Sequence, residues 1–123
     1  MKVAITTSGR DLDAPVDPRF GRAKGFIIFD TESGQWSALD NAQNLDAAQG
    51  AGVQAAMAVA NAGAEAVLTG NCGPKAFKTL AAAKLKVYTG VSGAVREAVE
   101  KLASGALEPA ADASVEAHAG MGL

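Results

Sequence analysis

Phe26-Ile27-Ile28-Phe29, then Thr31-Glu32-Ser33-Gly34, then Gln35-Trp36-Ser37-Ala38-Leu39 is the stretch whose reading decides the fold. Its first four residues are an unbroken apolar run too short for a helical pattern, as expected of a strand covered on both faces. A turn ending in glycine follows, and the chain returns as a second strand, so this stretch reads as an antiparallel hairpin closed by Asp40-Asn41. Working outward, Lys2 to Thr7 is a β-branched strand bounded by Ser8-Gly9, and Glu65 to Thr69 and Leu85 to Thr89 are further strands. Helices are predicted over 47–62, from Pro74 to about Lys84, and from Ser92 to Gly105. The order β-β-β-α-β-α-β-α then predicts a five-stranded mixed sheet, order 3-2-1-4-5, with only strand 2 antiparallel and helices on both faces. This is the three-layer α/β arrangement of ribonuclease H-like folds.

Local patterns add detail. Ala48, Ala51, Ala55 and Val59 recur at helical spacing despite Gly50 and Gly52, and small residues there imply close packing on the sheet. In the second helix Phe77, Leu80 and Ala81 are expected to be buried. In the last, Val95, Ala98, Val99 and Leu102 face inward, Ser92 is the expected cap, and Glu97 can pair with Lys101. Strand 5 alternates Leu85 and Val87 against Lys86 and Tyr88, the pattern of an edge. Trp36 and Tyr88 are expected to pack, since neither sits in a basic run.

The 123 residues fit one domain, and 49% hydrophobic residues suffice for a core. Residues 1–107 are expected to form it, with 108–123 a loose tail lacking any periodic face. A net charge of −2 gives no global positive field, so neither nucleic acid nor an acidic membrane is an expected partner. The single cysteine, Cys72, excludes an intramolecular disulfide and suits a reducing compartment. With no signal-type or membrane-spanning run, a cytoplasmic location is expected. A monomer is expected as well, because no long apolar helix face is left over once the sheet is covered.

The predicted topology gathers Ser8-Gly9-Arg10, the Asp17–Arg22 loop, Asp40-Asn41, Gly70-Asn71-Cys72-Gly73 and Gly90-Val91-Ser92 on one rim, where open α/β sheets bind ligands. Two of these loops lead into helix N-termini, which favour anions, and Arg10, Arg19, Arg22 and Lys75 add charge. A ligand with several negative charges would use all of this. Cys72 is either a small buried hydrophobe or a thiol whose pKa the following helix lowers, a candidate metal ligand. His118, near the end of the chain, is a solvated histidine or a metal ligand without partners at fixed spacing. Nuclease chemistry of the ribonuclease H type needs carboxylates on strand 1, which has none. No nucleophile, base and orienting group can be assembled, and no phosphate-binding glycine motif is present, so an enzyme is not expected.

Thr6-Thr7-Ser8-Gly9, Val16-Asp17-Pro18-Arg19-Phe20-Gly21-Arg22-Ala23, Phe26 and Gly70-Asn71-Cys72-Gly73-Pro74-Lys75-Ala76-Phe77 together resemble the dinitrogenase iron–molybdenum cofactor biosynthesis family over about residues 1–107. The resemblance implies the ribonuclease H-like fold and non-covalent binding, carriage or assembly of an anionic metal–sulfur cluster. The chain looks most like the short single-domain members, which implies a molybdenum–copper sulfide cluster, with an iron–molybdenum–sulfur precursor as the other possibility. Asp17, Arg19, Phe20, Gly21 and Arg22 match the family's first loop, and Gly70, Gly73, Pro74 and Phe77 its second. With the rim residues Arg10, Asn41, Asn71, Cys72, Lys75 and Ser92 they form the expected cluster-binding set. The rival expectation is a cluster-free module whose rim docks an ATPase or a larger metalloenzyme.

Overall fold

The computed structural model describes residues 1–41 and 50–111. Five strands form one sheet: β1 Lys2–Thr7, β2 Gly25–Asp30, β3 Trp36–Asp40, β4 Ala66–Leu68 and β5 Lys86–Tyr88. Among the described residues three helices accompany them: α1 Ala51–Asn61, α2 Pro74–Ala82 and α3 Val95–Ala103, with a 3₁₀ turn at Phe20–Arg22. The strand order is β3-β2-β1-β4-β5. β2 is antiparallel to both β1 and β3, whereas β1, β4 and β5 are parallel. The fold is therefore the mixed α/β sheet that the hairpin implied.

Strand alternation divides the core into two layers. Ala4, Phe26, Val67 and Val87 point to one side, where Ala55, Ala56 and Val59 of α1 and Ala76 and Leu80 of α2 cover them. Val3, Ile5, Ile27, Leu68 and Tyr88 point to the other, against Val95 and Ala98 of α3. Because each face of β1 and β4 is covered, Val3-Ala4-Ile5 and Ala66-Val67-Leu68 are apolar without a break.

Several local expectations change. α1 begins at Ala51 behind Gly50, whose φ of 76° is left-handed and stops the helix from extending backwards. The expected helical residues 47–49 lie outside the described residues, as do His118 and the tail from 112 onward. In α2 the buried pair is Ala76 and Leu80, with Phe77 half-buried, and Ala81 is exposed. Trp36 is not a packing residue: on the outer strand β3 it remains 41% exposed. Tyr88 is buried instead of facing out from an edge. The reason is long-range: Ala110 N–H donates to Val87 O at 2.7 Å, so the chain after α3 covers β5.

Ser92 does not cap α3. It is exposed, and the N-cap position belongs to Ala94, which has no side-chain acceptor. Glu97 Oε1 takes its place, accepting the Ala94 N–H at 2.9 Å instead of reaching toward Lys101. The first N–H groups of the helix are taken by the loop before β2: Val95 donates to Ala14 O at 2.9 Å and Arg96 to Leu12 O at 2.8 Å. This helix N-terminus is closed to any ligand.

Candidate functional site

Two buried hydroxyls fix the centre of the rim. Thr6 lies one residue before the end of β1 and Thr69 follows β4, and both are fully buried. Their Oγ1 atoms lie 3.0 Å apart, and Thr6 Oγ1 lies 2.7 Å from Asp17 O. A hydroxyl has one hydrogen, so Thr6 donates to the carbonyl and Thr69 donates to Thr6. Asp17 N–H returns a bond to Thr6 O at 2.8 Å, which clamps the loop to the sheet at both polar groups of one residue.

From that clamp the Asp17–Arg22 loop crosses to the loop after β4. Asn71 N–H donates to Pro18 O at 2.6 Å, and Phe20 N–H donates to Asn71 O at 3.1 Å, a short parallel ladder between the two motifs. The approach is close enough that a Cβ on Gly70 would sit 2.7 Å from Pro18 Cα and 2.8 Å from Pro18 O. Glycine at position 70 is thus required by the meeting of the two loops. Gly90 N–H donates to Gly70 O at 2.8 Å and so attaches the third rim loop.

Each expected site residue now has a place. Asp17 Oδ1 accepts the Arg19 N–H at 2.9 Å and lies 3.9 Å from Arg19 Nε. The Arg19 side chain is 66% exposed, and Arg22, on the 3₁₀ turn, is exposed as well. Phe20 is a core residue, 1% exposed, with its ring 5.7 Å from that of Phe26. Asn41 is fully buried, donating from Nδ2 to Ala23 O at 2.8 Å while its N–H bonds Lys24 O at 2.9 Å. It braces the start of β2 from inside. Cys72 is also buried, and desolvation pushes its thiol up to about 11. The expected lowering by the α2 N-terminus is therefore reversed, because the side chain turns into the core beneath that helix. Among the described residues no group of three His, Cys, Asp or Glu is placed to hold a metal ion.

Among the described residues, two depressions of about 340 Å³ each lie on the rim. One is lined by Gly21 of the first loop, Gly52 of α1, and Gly73, Pro74, Lys75 and Ala76 at the start of α2. The other lies between Ser8-Gly9-Arg10, Lys24-Gly25 and the end of β3 at Asp40. Arg10 is thus separated from Lys75. Gly52 is the residue that sequence reasoning missed. It appears there only as a weak point in an alanine-rich helix, yet a Cβ on Gly21 would lie 2.9 Å from Gly52 Cα, and one on Gly52 would lie 3.2 Å from Ala76 Cβ. The 3₁₀ turn and α1 pack backbone to backbone at this point, and the Ala76 methyl of α2 lies against Gly52.

Comparison with known proteins agrees with this fold. The apo form of the orange protein from Desulfovibrio gigas superposes with a TM-score of 0.90 at 41% identity, covering 91% of this chain and 94% of that one. A NifB-like protein of Thermotoga, at 40% identity and a TM-score of 0.77, covers 88% of this chain and 91% of its own. An uncharacterised protein of Methanocaldococcus jannaschii is 28% identical over 110 residues, 88% of this chain and 90% of that protein. The sequence profile of the dinitrogenase iron-molybdenum cofactor family matches residues 1–105, which include both rim motifs, and the chain belongs to that family.

Proposed function

We propose that this protein binds and carries an anionic metal–sulfur cluster at the rim, as cargo held by outer-sphere contacts. The observation that carries the reading is the ladder between Pro18, Phe20 and Asn71, which makes one wall of two loops and sets Arg19, Arg22 and Lys75 around the same end of the sheet. The wall suits a cluster that arrives with its sulfide ligands complete. Its one thiol is buried and protonated at neutral pH, so bridging and terminal sulfides accept hydrogen bonds from backbone N–H groups and guanidinium forks instead. Membership of the family and the likeness to the orange protein support a molybdenum–copper sulfide cluster, with an iron–molybdenum–sulfur precursor as the alternative cargo. The role is non-enzymatic and cytoplasmic, in a monomer whose cluster-binding domain spans residues 1–107. Delivery would be to an ATPase or a metalloenzyme.

Tetrathiomolybdate with copper is the probe. Titration into the protein should give visible absorption that stays with the chain through gel filtration. Arg19→Ala and Arg22→Ala should each weaken uptake by about 1–3 kcal/mol, the worth of a charge-assisted hydrogen bond. Uptake equal to the parent by both variants would remove the arginines from the binding role.

A further inference from the structure

The geometry points to the depression between Gly21, Gly52 and Gly73 as the seat of the cargo, and to Gly73 as the residue that keeps the seat open. The inference rests on the cluster-binding reading above and narrows it to one side of the rim.

The two depressions are equal in volume, so size does not choose between them. Their glycines do. In the Arg10 depression both glycines are dictated by the fold: a Cβ on Gly9 would lie 2.5 Å from Ala14 Cβ, and one on Gly25 would lie 2.7 Å from Leu39 O. In the other depression Gly21 and Gly52 are likewise explained by their mutual contact. Gly73 is not. Its φ of −72° and ψ of 169° are extended backbone that any residue adopts, and among the described residues a Cβ there would meet nothing within 4 Å. Among the described residues, the space that a side chain would take is left empty in the lining of the depression, next to Lys75 in the sequence order of that lining. Neither backbone conformation nor packing accounts for glycine at this position, whereas a ligand approaching the backbone closely does.

The lining also specifies the kind of ligand. Among the described residues the lining is three glycines, a proline without an N–H, an alanine and Lys75, mostly apolar surface edged by charge, with Arg22 following Gly21 on the 3₁₀ turn. A small oxyanion, strongly hydrated, would lose more hydrogen bonds on entry than this surface returns. A larger anion with a soft, weakly hydrated sulfide surface loses far less. The seat therefore takes thiometallates in preference to molybdate, and the molybdenum must already have exchanged oxide for sulfide before it arrives.

Gly73→Val fills the seat without asking anything new of the backbone, and Ser8→Phe fills the other depression from an exposed position. Both variants and the parent are titrated with tetrathiomolybdate plus copper, and the parent also with molybdate. The expected result is parent-like uptake by Ser8→Phe, uptake by Gly73→Val at least about tenfold weaker with the thermal midpoint unchanged, and no competition from molybdate. Parent-like uptake by Gly73→Val, or loss in Ser8→Phe, would overturn the seat, and effective competition by molybdate would overturn its selectivity. A parent chain that takes up no cluster would instead overturn the cluster-binding reading itself.

Discussion

Cys72 shows how far a single residue can be judged from its neighbours in sequence. Its position just before a helix start argues for an activated thiolate, and that argument counts only the helix dipole. Burial is the larger effect: with 1% of its surface exposed, the thiol is pushed up to about 11 from an ordinary value near 9. The folded state therefore holds this proton more tightly than the unfolded chain does. Stability is unaffected below pH 9 and falls as pH rises from about 9 to 11, by about 1.4 kcal/mol for each pH unit in that window. Denaturant titrations across this range on the parent and on Cys72→Ala should show the thiol's contribution as a difference in slope. Equal slopes would mean that the thiol is not desolvated. Burial of a side chain in a loop has no local signature, which explains why the sequence left both readings of Cys72 open.

At the scale of elements, what was legible was periodic or local, and what was not depended on residues far away in the chain. The hairpin of β2 and β3 was readable because Phe26 to Leu39 contains both strands and their turn. Tyr88 packs as expected but does not face out from an edge, because the chain beyond the next helix returns along β5, with Ala110 N–H bonded to Val87 O and Leu107 against the cluster that holds Tyr88. The start of α3 was misread for a related reason: the loop at Leu12 and Ala14, far earlier in the chain, supplies the acceptors that Ser92 was expected to provide. Glu97 completes that terminus through its 2.9 Å bond to Ala94 N–H. Glu97→Ala should cost about 1 kcal/mol, the usual worth of a cap, and lower the thermal midpoint by about 5 °C for a domain of this size. Cluster uptake should not change, since α3 packs on the opposite face of the sheet from α1 and α2, which line the proposed seat. Calorimetry and the copper–tetrathiomolybdate titration on one preparation test both halves of the expectation.

For the whole molecule, strand order alone was enough to bring the motifs to one rim, because chain direction decides which loops share an end of the sheet. It did not tell which side of the rim is open, since that depends on Gly21 meeting Gly52 and on α3 being closed by the Leu12–Ala14 loop, contacts that no spacing encodes. The resulting architecture assigns two glycines of one loop to opposite duties. Gly70 joins the walls, and Gly73 leaves room between them. A methyl on Gly70 would press on the Pro18 backbone at 2.7 Å, so Gly70→Ala must separate the loops or break the bonds at Asn71. Overpacking of this kind costs about 1–3 kcal/mol. Because Thr6 and Thr69 hold the first loop to the strands at Asp17, the strain is confined to the ladder and reaches the rim, not the sheet. Gly70→Ala should therefore lower the midpoint of thermal unfolding and weaken cluster uptake together, and amide exchange should quicken at Phe20 and Asn71 while the β1 amides keep their protection. Faster exchange without any loss of uptake would show that the ladder holds the fold together but plays no part in binding the cargo.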